Sequence, residues 1–174
     1  MSENKEECTN KKDKVKAVCK DSVKRLFLYL LVIAFGVFIG HIISVYVGHR
    51  VIVRGSSMEP TYHEGDVLWA WVAGDVSYGS IVITSDPEDG TYIIKRVVGL
   101  PNDTIQILDG MVLLNGRELV ESYIVSDWNY SGIAKDVITL GNDEYFIMGD
   151  NRSNSKDSRY FGPIKVDSIR GVVK

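Results

Sequence analysis

Two adjacent serines, Ser56 and Ser57, stand in the stretch RGSSMEPTYHEGD (Arg54–Asp66), ahead of a Met-x-Pro-Thr turn. Turn-forming neighbours keep a hydroxyl near the surface, and the chemistry open to it there is nucleophilic attack. A serine hydroxyl is a weak nucleophile at neutral pH and needs a base beside it. His41 lies inside a long apolar run and His49 borders it, so His63 is the histidine available for a Ser/His arrangement. It sits in a polar stretch with Glu64 and Asp66, where an ordinary surface-loop histidine is the simpler reading.

The other candidate base is Lys95, in TYIIKRVVGLPND (Thr91–Asp103). Side chains alternate along a strand, so Lys95 shares a face with Ile93 and Val97, while Arg96 sits with Ile94 and Val98. Unshifted, about one lysine in 2,500 is a free base at pH 7; full burial can bring an amine to a pKa of about 5 to 6. A strand lysine whose charged end reaches solvent is the alternative. A third segment, GDNRSNSKDSRYFGPI (Gly149–Ile164), packs Gly, Asp, Asn, Ser and Arg into one connection after the apolar stretch EYFIM. It offers a hydroxyl to orient an amine and a carboxylate/guanidinium pair to brace a loop, or plain turn chemistry.

These segments need a scaffold, and the pattern after residue 50 is short apolar runs broken by turn residues. Strands are expected at 51–53, 66–72, 80–85, 91–99, 104–108, 111–115, 144–149 and 169–173, with one more at 136–140 inside an irregular excursion from Glu121 to Asn142. Asp89-Gly90, Asp109-Gly110 and Asn115-Gly116 are the tight-turn dipeptides of hairpins. The fold class is therefore mainly β, a folded-over antiparallel sheet or barrel-like assembly.

Leu26 to Gly48 contains no Asp, Glu, Lys or Arg. As a helix it would reach roughly 35 Å, against about 30 Å of bilayer hydrocarbon. It is longer than the core of a cleaved signal and ends in Val-Tyr-Val-Gly-His-Arg, without an A-x-A-like site, which favours an uncleaved anchor. Residues 1–25 carry eight Lys/Arg against five Asp/Glu, net +3, so the remainder is −6 of the overall −3. The positive flank keeps the N-terminus cytoplasmic, and the acidic remainder speaks against nucleic acid. The expected organisation is a basic cytoplasmic segment (1–25), a single membrane span (26–48) and an extracytoplasmic β-rich domain (49–174). Cys8 and Cys19 both precede the span, so the domain needs no disulfide, and the chain has no Cys/His cluster for zinc. Trp69 and Trp71 alternate onto one strand face and suit either a membrane interface or internal packing.

GSSMEPT, IKRVVGLPND and GDNRSNSKDSR, in this order behind an anchor, closely resemble the three sequence boxes of bacterial type I signal peptidases, in the compact form common in Gram-positive bacteria. The resemblance runs from the anchor to the end of the chain. It implies a membrane-bound serine endopeptidase without metal or cofactor. Its partners would be secretory preproteins, whose small residues at positions −1 and −3 enter shallow pockets, and the lipid bilayer. Matched residue by residue, it makes Ser57 the nucleophile and Ser56 a neighbour, Lys95 the general base, and the Ser57 amide an oxyanion donor. It also makes Ser155 the serine that hydrogen-bonds the lysine amine, Asp157 and Arg159 a structural pair, and Asp150 and Arg152 scaffold. Val53, Met58, Ile93 and Ile94 are candidate pocket linings. Gly55 departs from members that carry an oxyanion-hole serine two residues before the nucleophile, and Tyr78-Gly79-Ser80 departs from a usual Gly-Asp. Two rival functions remain open: a self-cleaving repressor-type Ser/Lys peptidase, which the span disfavours, and a catalytically silent peptide-binding β-module.

Overall fold

The structure, a computed structural model, describes residues 24–42, 48–72 and 74–173. The chain divides into two compact units on either side of Val45/Tyr46. In the first, helix α1 (Lys24–Ile42) is an uninterrupted apolar helix exposed along its whole length. Its 19 residues span about 28 Å, close to the thickness of bilayer hydrocarbon. It begins two residues before the expected span and takes in Lys24 and Arg25. Most of the basic segment, both cysteines and the last part of the expected span lie outside the described residues.

The second unit is antiparallel β throughout its pairings. Its strands are β1 (His49–Ile52), β2 (Val67–Trp71), β3 (Ile81–Ser85), β4 (Tyr92–Gly99), β5 (Thr104–Leu108), β6 (Met111–Leu114), β7 (Arg117–Glu118), β8 (Ile138–Thr139), β9 (Glu144–Met148), β10 (Ile164–Lys165) and β11 (Ile169–Val173). Seven form one sheet in the order β1-β2-β11-β3-β4-β9-β10, and four form a second in the order β7-β6-β5-β8. The mainly antiparallel β class read from the sequence is the observed one. The two-residue strands β7 and β10 and the short helix α2 (Ser158–Phe161) were not anticipated, being too short to carry a periodic signal.

Period-two alternation explains the core. Ile81 and Ile83 pack with Met58, Ala70 and Val173 in one cluster. Val82, between those two isoleucines, packs instead with Val97, Ile147, Ile164 and Val172 in another. Strand β3 is consequently buried from Ile81 to Thr84, as expected of a central strand covered on both faces. A third cluster, with Val98, Ile105, Ile107, Phe146 and Met148, joins the second sheet to β4 and β9. Gly99 permits that contact, since a Cβ there would lie 2.8 Å from the Ile105 side chain. The site strand β4 is thus anchored by apolar packing at its C-terminal end, while its N-terminal end pairs with β3 alone.

Candidate active site

Ser57 stands in the turn after β1, and Lys95 in the middle of β4. The turn folds on itself through Glu59 N–H donating to Ser56 O at 3.2 Å and Tyr62 N–H to Met58 O at 2.9 Å. Met58, 1% exposed, plugs it into the core beside Ile83. Lys95 lies opposite Val82 of β3 and is 3% exposed. Its Nζ donates to Ser57 Oγ at 2.8 Å and to Ile94 O at 3.1 Å. Burial strips water from the ammonium and pushes its pKa from 10.5 down to about 8, against the opposing pull of the Asp157 and Asp86 carboxylates.

The third segment clamps this turn from the other side. Asn151 donates its N–H to Ser57 O at 3.0 Å and its side-chain amide to Ser56 O at 3.1 Å. Asn154 Nδ2 donates to Ser56 Oγ at 2.9 Å, so that hydroxyl is engaged away from Lys95. Gly149 has to be glycine here: a Cβ would fall 2.2 Å from Ser155 Oγ and 2.5 Å from Ser57 O. Asp157 and Arg159, both fully buried, form a two-pronged pair at 2.8 and 2.9 Å, and Asp157 also accepts the Gly149 N–H at 3.0 Å. Asp150 takes Arg96 at 2.8 and 2.6 Å and accepts the Thr61 hydroxyl, tying the end of the serine turn to β4.

Ser155 differs from expectation. It is buried, but its Oγ has no hydrogen-bond partner among the described residues, so the bond to the lysine amine is not made. His63 is exposed, and the bond at its position runs from its backbone N–H to Asp66 at 2.8 Å. No bond joins it to Ser57 among the described residues. The Ser57 N–H likewise has no acceptor among them.

Beside the pair runs a groove of about 390 Å³ whose lining includes Val53, Met58, Ile93 and Ile94 together with Ser57 and Lys95. One wall is the end of β1, the other the N-terminal half of β4. The sequence reading did not find Glu121, Tyr123 and Trp128 of the irregular excursion. Glu121 forms a two-pronged ion pair with Arg152. The Tyr123 ring lies 4.0 Å from the Arg96 guanidinium, and Trp128 lies 4.9 Å from that of Arg152. No local pattern in that stretch signals such a role. Tyr78 keeps to scaffold, donating to Asp103 at 2.7 Å.

The chain resembles known proteins over most of its length. The family model for signal peptidase, peptidase S26, matches residues 23–174. The chain is 33% identical over 146 residues to a signal peptidase I of Bacillus licheniformis, covering 77% of this chain and 78% of that protein. It is 33% identical over 156 residues to signal peptidase I T of Bacillus subtilis strain 168, covering 82% and 80%. The crystal structure of a signal peptidase I from Enterococcus faecalis V583 is similar with a TM-score of 0.51 at 30% identity, covering 58% of this chain and 98% of that one.

Proposed function

Because the chain belongs to the signal peptidase, peptidase S26, family, we propose that it removes signal peptides from secretory preproteins with Ser57 as nucleophile and Lys95 as general base. The observation that carries this reading is the 2.8 Å contact between a buried amine and the serine hydroxyl. With its pKa brought down to about 8, roughly a tenth of the lysine is neutral at pH 7, against well under a thousandth for an unshifted amine. In the neutral form the contact reverses: Ser57 O–H donates and Nζ accepts.

The steps follow from that contact. Ser57 Oγ bonds to the scissile carbonyl carbon while its proton moves to Lys95 Nζ. The carbonyl oxygen gains the electron pair and is met by the free Ser57 N–H, a donor worth several kcal/mol when aimed at the developing charge. Lys95 then protonates the leaving nitrogen, the C–N bond breaks, and an acyl ester on Ser57 remains. A water attacks that ester, gives its proton to Lys95, and releases the signal peptide's carboxylate as Oγ recovers a proton.

An extended substrate fits the groove as an added strand. Val53 and Met58 on one side and Ile93 and Ile94 on the other form a shallow apolar floor for small side chains at −1 and −3. Ser155 is a positioning residue: its hydroxyl, unpartnered among the described residues and set against Gly149 as Ser57 O is, takes the lysine amine when the amine becomes charged during turnover. Asp157, Arg159, Asp150 and Arg152 hold the loop. Residues 1–25 lie in the cytoplasm, 26–48 cross the bilayer, and 49–174 work outside, in line with α1 and the basic flank. Trp69 and Trp71, 51% and 38% exposed, meet the lipid headgroups.

The test is cleavage of a secretory precursor by the full chain in detergent micelles. Wild type yields one defined mature N-terminus, while Ser57→Ala and Lys95→Ala leave the precursor intact. Equal cleavage by either variant removes the dyad, and loss confined to His63→Ala transfers the role to histidine.

A further inference from the structure

The groove contains a charged group that the reaction above does not use. Arg54 lines it, lies exposed three residues before Ser57, and makes no hydrogen bond or ion pair among the described residues. Asp66, whose backbone O accepts the Val53 N–H, takes the His63 N–H on one carboxylate oxygen and is not paired with Arg54. The other cation in the lining, Lys95, is committed to Ser57.

The direction of Arg54 follows from strand geometry. Val51 and Val53 turn inward, half-buried and 3% exposed, while Ile52, 58% exposed, and Arg54 turn outward. Val53 gives its N–H to Asp66 O at 2.9 Å and accepts from Gly65 N–H at 3.0 Å. Its backbone groups thus point toward β2, and those of Ile52 and Arg54 point to the free edge. A peptide adding to that edge alternates as β1 does. Its −1 and −3 side chains enter the groove, and the outward residue between them comes beside Arg54.

We propose that Arg54 is a specificity-determining residue that reads position −2 of the substrate, favouring a carboxylate side chain and disfavouring a cation. The inference rests on the peptidase reading above. A guanidinium offers paired N–H donors that match a carboxylate, and this one has no competing partner to displace. Its exposure keeps the discrimination modest and sensitive to salt.

The experiment uses the full chain in detergent micelles and three precursors identical except for Asp, Ala or Lys at −2. For wild type at low salt, kcat/KM for the Asp precursor exceeds that for the Lys precursor by about threefold to tenfold. The ratio shrinks in high salt, falls to about one in Arg54→Ala, inverts in Arg54→Glu and keeps its direction in Arg54→Lys. An unchanged ratio in Arg54→Ala and Arg54→Glu overturns this inference alone, as does a wild-type ratio near one. Failure of wild type to cleave any of the three overturns the peptidase reading and this one with it.

Discussion

Lys95 and Arg159 are almost equally buried, 3% and 0% exposed, yet they meet the cost of burial in opposite ways. Arg159 is held by both oxygens of Asp157 and stays charged. Lys95 forms no ion pair among the described residues, its amine bonding Ser57 Oγ and Ile94 O, and burial drives its pKa down to about 8. A guanidinium cannot shed its proton in a protein, so it has to be paired, whereas an amine can be neutralised by the same dry surroundings. The loop thus uses buried charge to hold shape, and the strand uses burial to produce a base.

Lys95→Arg breaks this contrast at its most sensitive point. It places a permanent cation where the proposed mechanism needs a neutral acceptor, and precursor cleavage falls by at least about a thousandfold. The unpaired guanidinium also costs about 3–5 kcal/mol of stability, so cleavage is compared per folded protein, the folded fraction being read by tryptophan fluorescence. Retention of more than a tenth of the activity would show that a neutral amine is not required.

Asp157→Asn attacks the other half. It leaves the Arg159 guanidinium buried without its counter-charge, which costs about 3–5 kcal/mol, measured by urea unfolding of the domain. Asp157 is also the foremost group opposing the fall in the Lys95 pKa, so in whatever folded protein survives the activity midpoint moves to lower pH. For wild type, cleavage rises with pH up to about 8 and then levels. A rise continuing toward pH 10 would mean that the amine is not dry.

The same shift makes a stability prediction of smaller size. The folded pKa is about 8 and the ordinary value 10.5. Below about 8 the amine is charged in both states and the burial penalty is complete. Between these values the unfolded chain holds a proton that the folded chain lacks, so stability rises with pH by on the order of 1–3 kcal/mol. Lys95→Met has no such rise: it is the more stable protein at pH 7, and the two unfolding curves converge as pH approaches 10.5.

Much of this arrangement was legible in the residues. Alternation in TYIIKRVV separated Lys95 from Arg96, and in the fold their partners are indeed distinct: Ser57 for one, Asp150 and Gly79 for the other. All nine expected strands coincide with observed ones to within two residues at either end, because apolar runs and Gly-containing turns are local signals. The groove was readable in part, since Val53 and Ile93 flank the chemical residues in sequence. What escaped was set by long-range contact. Glu121 and Tyr123 reach Arg152 and Arg96 from a stretch without periodicity, and Asn151 and Asn154 look like ordinary turn residues until the serine turn is laid against them. Arg54 carries no signal of its own at the head of the serine stretch, and only the folded groove gives its side chain a place.

Ser155 is where the contrast between paired and unpaired groups can be sharpened furthest with the least disturbance. Its hydroxyl is buried beside the Gly149 contact and has no partner among the described residues, whereas its backbone O accepts from Arg159 Nη2 at 3.4 Å. A buried hydroxyl without a bond costs roughly 1–3 kcal/mol, so if it served shape alone, Ser155→Ala would be neutral or stabilising with full activity. The proposed orienting role requires a different outcome. Ser155→Ala keeps or raises the unfolding midpoint, yet cleavage falls by about tenfold, with the loss in kcat and not in KM. Ser155→Thr, which keeps the hydroxyl, restores part of the rate. Stability and activity then move in opposite directions at one atom, which a purely structural hydroxyl would not produce.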